Sequence, residues 1–90
     1  MEYGCIGEKL SHSFSKIIHA RLADYNYELC EIPRGELDSF MKKADFKAIN
    51  VTIPYKQAVI PYLYCISDTA KKIGAVNTVV NKNGKLYGYN

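Results

Sequence analysis

Two hydrophobic periodicities alternate along this chain, and any fold that houses only one of them is excluded. Phe14, Ile17, Ile18, Leu22 and Tyr25 recur at helical spacing, as do Leu37, Phe40, Met41 and Ala44. Each set makes one apolar stripe on a helix. Between them lie short apolar runs of strand character, namely Tyr3–Gly7, residues 27–32 and residues 47–53. Ser13 and Ser15 are natural N-caps for the first helix, and Pro33 ends the second strand. The second helix covers residues 36–44. Pro54 is predicted at the first turn of a third helix, where a missing N–H is of no consequence. A fourth, short helix covers residues 67–73, with Ser67 as N-cap and Gly74 as the stop. Residues 75–81 and Lys85–Tyr89 then read as a hairpin turning at Asn83-Gly84. This order predicts an α/β fold: a three-layer α/β/α sandwich with a mostly parallel mixed sheet, its last strands forming an antiparallel hairpin.

Composition narrows the partners. Ninety residues make one small domain, 48% hydrophobic and 23% charged, well inside the globular range. The net charge of +3 is spread among acids, with Lys42 and Lys43 near Asp38 and Asp45 and with Lys71 and Lys72 after Asp68. No basic stripe with interleaved aromatics arises, so nucleic acid is not an expected partner. No apolar run approaches the roughly 18 residues of a membrane span, and no signal-peptide pattern opens the chain. Cys5, Cys30 and Cys65 are odd in number and lack Cys-x-x-Cys spacing. They read as buried thiols in a reducing compartment, so the expected location is cytoplasmic.

The third strand and its continuation, Asn50-Val51-Thr52-Ile53-Pro54-Tyr55-Lys56, carry the most chemistry. Alternation puts Ile49, Val51 and Ile53 on one face and Asn50 and Thr52 on the other. Buried polar groups need partners. Either core groups or a polar ligand at the strand's carboxyl end must supply them. Ligands of open α/β sheets collect beyond those ends, and two more polar clusters fall there. One is Ser11-His12-Ser13-Phe14-Ser15, before the first helix; the other is Asn77-Thr78, at a strand start. Hydroxyls and free N–H groups at a helix N-terminus favour an anion such as a carboxylate. Capping accounts for one serine, and three in five residues give the ligand reading equal weight. Local hydrogen bonding explains an isolated Asn50, Thr52 or Asn77 just as well.

Lys56 is the residue most open to reaction. A cation at a helix N-terminus opposes the dipole, so its predicted position invites a functional explanation. A lysine beside a substrate hydroxyl acts as a general base when its surroundings tune it. His12 and His19 stand seven apart, but no carboxylate pattern completes a metal site. The eight tyrosines read as packing and edge residues. No Gly-x-Gly-x-x-Gly occurs, so the usual dinucleotide loop is missing.

Taken together, these motifs resemble the N-terminal, substrate-binding domain of the shikimate dehydrogenases. Cys5-Ile6-Gly7 with Leu10-Ser11-His12-Ser13-Phe14-Ser15 is similar to the family's opening serine motif. Asn50 to Lys56 is similar to its lysine motif, and two later motifs are matched by Ile73-Gly74-Ala75-Val76-Asn77-Thr78-Val79-Val80 and Gly88-Tyr89-Asn90. The resemblance implies an oxidoreductase of aromatic amino-acid biosynthesis that reduces 3-dehydroshikimate to shikimate with NADPH. Ser13 and Ser15 would hold the substrate carboxylate. Thr52 and Asn77 would bond the substrate, with Asn50 supporting the pocket. Lys56 would be the catalytic acid/base, and Asp68 falls where the family has an acidic or polar residue near the cofactor.

Lys9 and Lys16 stand where proline is usual in the family, which alters loop rigidity without removing a ligand group. In the family Gly-Tyr-Asn continues Thr-Asp, and that aspartate pairs with the lysine. The expectation is therefore a domain spanning residues 1–90, cut from a longer enzyme and inactive alone, with NADP bound mainly by a further domain and a homodimer possible for the full-length enzyme. A quinate/shikimate dehydrogenase using NAD, and a non-catalytic module binding a small hydroxy-acid, are the alternatives.

Overall fold

The computed structural model describes residues 2–10 and 27–90. Within them lie strands β1 Tyr3–Gly7, β2 Tyr27–Glu31, β3 Ala48–Val51, β4 Cys65–Ile66, β5 Thr78–Lys82 and β6 Lys85–Tyr89. They form one sheet in the order β2-β1-β3-β5-β6-β4. β1 runs parallel to both β2 and β3, and β4 runs parallel to β6. β5 is antiparallel to β3 and to β6. The α/β class and the closing hairpin are those the sequence predicts. The hairpin turns at Asn83 (φ 54°) and Gly84 (φ 88°), the positive angles that a two-residue type I′ turn requires.

The two described helices, α1 Leu37–Lys43 and α2 Asp68–Ile73, follow their sequence signals. A 3-10 turn at Arg34–Glu36 leads into α1. Ser67 Oγ accepts from the Ala70 amide at 3.2 Å, and Gly74 (φ 77°) closes α2 in the left-handed region. The core lies between these helices and one face of the sheet. Ile6, Ile49, Val51, Val79 and Leu86 supply that face, and Leu37, Met41 and Ala70 meet it from the helices. The register pairs Ile6 with Val51 and Ile49 with Val79, so the period of two aligns the apolar side chains across strands.

The stretch after β3 departs from expectation. The strand ends at Val51, and Ile53 is 75% exposed instead of sharing the core face. No helix starts at Pro54. The Ile53-Pro54 peptide is cis, the Tyr55 amide turns back to Thr52 O at 2.9 Å, and the next regular element is a 3-10 turn at Ile60–Tyr62. Pro61 opposes the expected helix, because it has no N–H with which to extend it. Tyr55 instead drives inward, 3% exposed, and its hydroxyl donates to Ile32 O. Tyr62 ties the 3-10 turn to α1 by donating to Asp38 Oδ1 at 2.7 Å.

β4 was not anticipated, because two residues carry no periodicity. The strand after Gly74 begins at Thr78, not at residue 75. Of the cysteines only Cys5 is buried; Cys30 is half-buried and Cys65 exposed. The first helix, with Phe14, Ile17 and Ile18, lies outside the described residues, as do His12 and His19. No helix among the described residues is long and apolar enough to cross a membrane.

Gly88 marks a tight place in the core. A Cβ built there would lie 2.5 Å from Leu63 Cδ1, 2.9 Å from Val76 Cγ2 and 3.1 Å from Ile66 Cγ2. Gly88→Ala is therefore expected to destabilise the chain by about 1–3 kcal/mol through overpacking. Urea unfolding checks this as a lower midpoint at unchanged slope.

Candidate active site

Strand direction decides which residues can meet. The carboxyl ends of β1, β2, β3, β4 and β6 all point to one edge of the sheet, and antiparallel β5 begins there. Asn50, Thr52, Asn77, Asn90 and Asp68 therefore stand along a single edge, although up to 40 residues of chain separate them.

Asn50 sits on the face opposite the core, with Cys5 and Thr78 as its register partners. Its amide is held on both sides. Tyr27 Oη donates to Asn50 Oδ1 at 2.7 Å, and Asn50 Nδ2 donates to Thr78 Oγ1 at 3.3 Å. Thr78 Oγ1 donates to Asn77 Oδ1 at 3.2 Å, Asn77 Nδ2 donates to Asn90 Oδ1 at 3.3 Å, and Asn90 Nδ2 donates to Ala75 O at 3.0 Å. Backbone bonds brace the same residues: Val51 N donates to Asn77 O at 2.8 Å and Asn77 N to Tyr89 O at 2.9 Å. Burial pushes the Cys5 thiol up to about 11, although the Tyr27 hydroxyl bonded to it pulls the other way. The thiol therefore stays protonated at neutral pH and is no nucleophile. Burial, then the neighbouring Cys5, raises the Tyr27 hydroxyl as well, so it keeps the proton it donates to Asn50.

Thr52 is placed by a glycine. Its amide donates to Ile6 O at 2.9 Å, and its methyl lies where a side chain on Gly7 would be, 2.6 Å from a Cβ built there. Beside it opens a cleft of about 400 Å³, lined by Glu8, Lys9, Leu10, Arg34, Ile53 and Pro54 together with Thr52. Arg34 Nε donates to Glu8 Oε2 at 3.0 Å across this cleft. Glu31 Oε2 accepts from the Leu10 amide at 2.9 Å and holds the end of β1 beside β2.

Lys56 follows the Pro54 turn and is half-buried. Its carbonyl accepts from Val76 N at 2.9 Å, which fixes its backbone against the segment that leads to Asn77. No ion pair engages its ammonium among the described residues. The helix-dipole argument for Lys56 falls, since no helix begins there. What singles Lys56 out is instead its position between the ends of β3 and β5.

Backbone pairing thus brings the positions of Asn50, Thr52, Lys56 and Asn77 to one edge of the sheet. It keeps Asp68 apart: that residue opens α2 beyond β4, three strand spacings or about 14 Å from β3. An acid in the first turn of a helix is favoured there by the dipole alone. Ser13 and Ser15 lie outside the described residues. Sequence reasoning missed Tyr27, which reaches across β1 from the edge strand. Alternation shows which face Tyr27 takes, but not which strand lies next to it.

Comparison with known proteins identifies the lineage. Residues 5–79 match the family described as shikimate dehydrogenase substrate binding domain. The chain is 52% identical to the NADP(+) shikimate dehydrogenase of Clostridium beijerinckii, over 98% of this chain and 36% of that protein. Shikimate dehydrogenase 1 from Peptoclostridium difficile superposes with a TM-score of 0.81 at 42% identity, covering 100% of this chain and 37% of that one. The Thermus thermophilus enzyme in complex with shikimate superposes with a TM-score of 0.84 at 32% identity, covering 100% and 38%. The chain thus spans between 36% and 38% of the length of these relatives. A match over residues 5–79 of a 90-residue chain establishes that it belongs to the shikimate dehydrogenase substrate binding domain family.

Proposed function

We propose that residues 1–90 are the substrate domain of an NADP-dependent enzyme that interconverts 3-dehydroshikimate and shikimate. The observation that carries this reading is the gathering of Asn50, Thr52, Lys56 and Asn77 on one edge of a sheet, in a fold shared with an enzyme solved in complex with shikimate. A hydroxylated ring acid needs hydrogen-bonding groups that both give and take, and one group that moves a proton. The amides of Asn50 and Asn77 and the hydroxyl of Thr52 supply the first, and Lys56 the second. Ser13 and Ser15 would receive the carboxylate.

The described residues offer no cradle for a dinucleotide, since the chain has no Gly-x-Gly-x-x-Gly turn. NADP would be held mainly by a separate nucleotide-binding domain, with Asp68 carried over by resemblance as the contact from this chain. Bound NADPH supplies the hydride. The work of this chain is to orient the ring and to let Lys56 give a proton to the C3 oxygen, or take it in the reverse direction. A homodimer of the full-length enzyme is compatible with this reading. A cytoplasmic location suits the free thiols of Cys5, Cys30 and Cys65.

Titration of the chain with shikimate and with quinate tests the ligand: saturable binding that favours shikimate is expected, and equal affinity would point to the quinate/shikimate alternative. NADP-dependent turnover by residues 1–90 alone would overturn the division into two domains. In the enzyme completed by its nucleotide domain, Lys56→Ala is expected to lower kcat about 10²–10⁴-fold, with KM much less affected. Steady-state kinetics on both parameters decide the proton-transfer assignment. Gly7→Ala adds no polar group yet displaces the Thr52 methyl, so calorimetry should show weaker shikimate binding by that variant.

A further inference from the structure

The hydrogen bonds that cross the polar face of the sheet all run one way. Starting at Tyr27, each group donates to the next in the series: Tyr27 to Asn50, Asn50 to Thr78, Thr78 to Asn77, Asn77 to Asn90, and Asn90 to Ala75 O. The direction is imposed at the far end, beyond Asn90. Tyr27, whose hydroxyl can give or take, follows that direction by donating to the Asn50 oxygen. The Ala75 carbonyl can only accept, which forces the Asn90 nitrogen toward it and its oxygen toward Asn77. Neither Asn50 nor Asn77 can flip its amide without breaking at least one bond of the series. Each is left with one N–H and one oxygen lone pair free, which is what a hydroxyl that both gives and takes requires.

We propose that Tyr27, Thr78 and Asn90 are positioning residues, a single relay that locks the Asn50 and Asn77 amides in the orientation that serves the ring hydroxyls of the substrate. The ligand in this proposal rests on the shikimate reading above; the relay itself does not. Tyr27 and Asn90 stand on either side of the pair, four strand spacings or roughly 19 Å apart. No direct contact joins them, so any coupling between them must pass through the amides. Hydrogen bonds in series polarise one another, so removing one donor weakens the links beyond it.

The test uses the 90-residue chain and two readouts. In the first, side-chain amide resonances of Asn50, Asn77 and Asn90 are followed by NMR in Tyr27→Phe without ligand. All three are expected to shift, Asn90 included. A purely structural Tyr27 would lower stability and leave the Asn90 amide in place, and that result overturns the relay. If Tyr27→Phe does not fold, Thr78→Val keeps the shape, removes the middle hydroxyl, and must shift the Asn50 and Asn90 amides together. In the second readout, shikimate affinity is measured. Tyr27→Phe and Asn90→Ala should each weaken it roughly two- to tenfold, the worth of one hydrogen bond. The double variant should be no weaker than the worse single one, and additive losses would show independent residues and sink the proposal. Failure of the unsubstituted chain to bind shikimate would overturn the ligand reading alone, because the amide shifts decide the relay separately.

Discussion

The central strand Ala48–Val51 has to satisfy two neighbours and two faces at once. Its backbone pairs with parallel β1 on one side and antiparallel β5 on the other. Ile49 and Val51 enter the core, while Asn50 faces the opposite side. A slip of one residue would bury Asn50 among apolar side chains and expose both hydrophobic groups, so the register is pinned by burial itself. With the register set, Asn50 has Cys5 and Thr78 beside it, and the polar network follows from that placement.

The mixed direction of the sheet does the second part of the work. In an all-parallel sheet, the start of β5 would lie at the far end from the end of β3. Because β5 runs the other way, Asn77 and Thr78 arrive where β3 ends, and the hairpin brings β6 back so that Asn90 arrives there too. Close backbone approach completes the arrangement. The absence of a side chain at Gly7 admits the Thr52 methyl, and its absence at Gly88 admits Leu63, Val76 and Ile66. Tyr55, anchored on Ile32, holds the turn that sets Lys56 against the segment leading to Asn77.

Much of this was legible in the residues. The stripe of Leu37, Phe40 and Met41, the Ser67 cap, the Gly74 stop and the Asn83-Gly84 turn each rest on chemistry local to a few positions, and each element formed where it was expected. The polar clusters at Asn50 and Asn77 could be marked as unusual for the same reason. The helix at Pro54 failed because one favourable preference, proline in a first turn, was weighed without the second proline seven residues on. β4 was invisible because its two residues form a strand only by pairing with β6. Asp68 was carried over by resemblance as a residue near the cofactor, and the strand order sets it three strands away from β3.

The sequence by itself determined the α/β class, the caps and turns, and the apolar face of each element, because periodicity and backbone preference act over a few residues. It also carried the serine, lysine and asparagine motifs that mark the family. Only the tertiary structure decided that Tyr27 reaches Asn50, that Asn77 and Asn90 meet beyond the end of β3, and that Lys56 lies in a turn instead of opening a helix. Those facts depend on which strands are neighbours and which way each one runs. Neighbour and direction are chosen by burial of the whole sheet, so no short stretch of residues contains them.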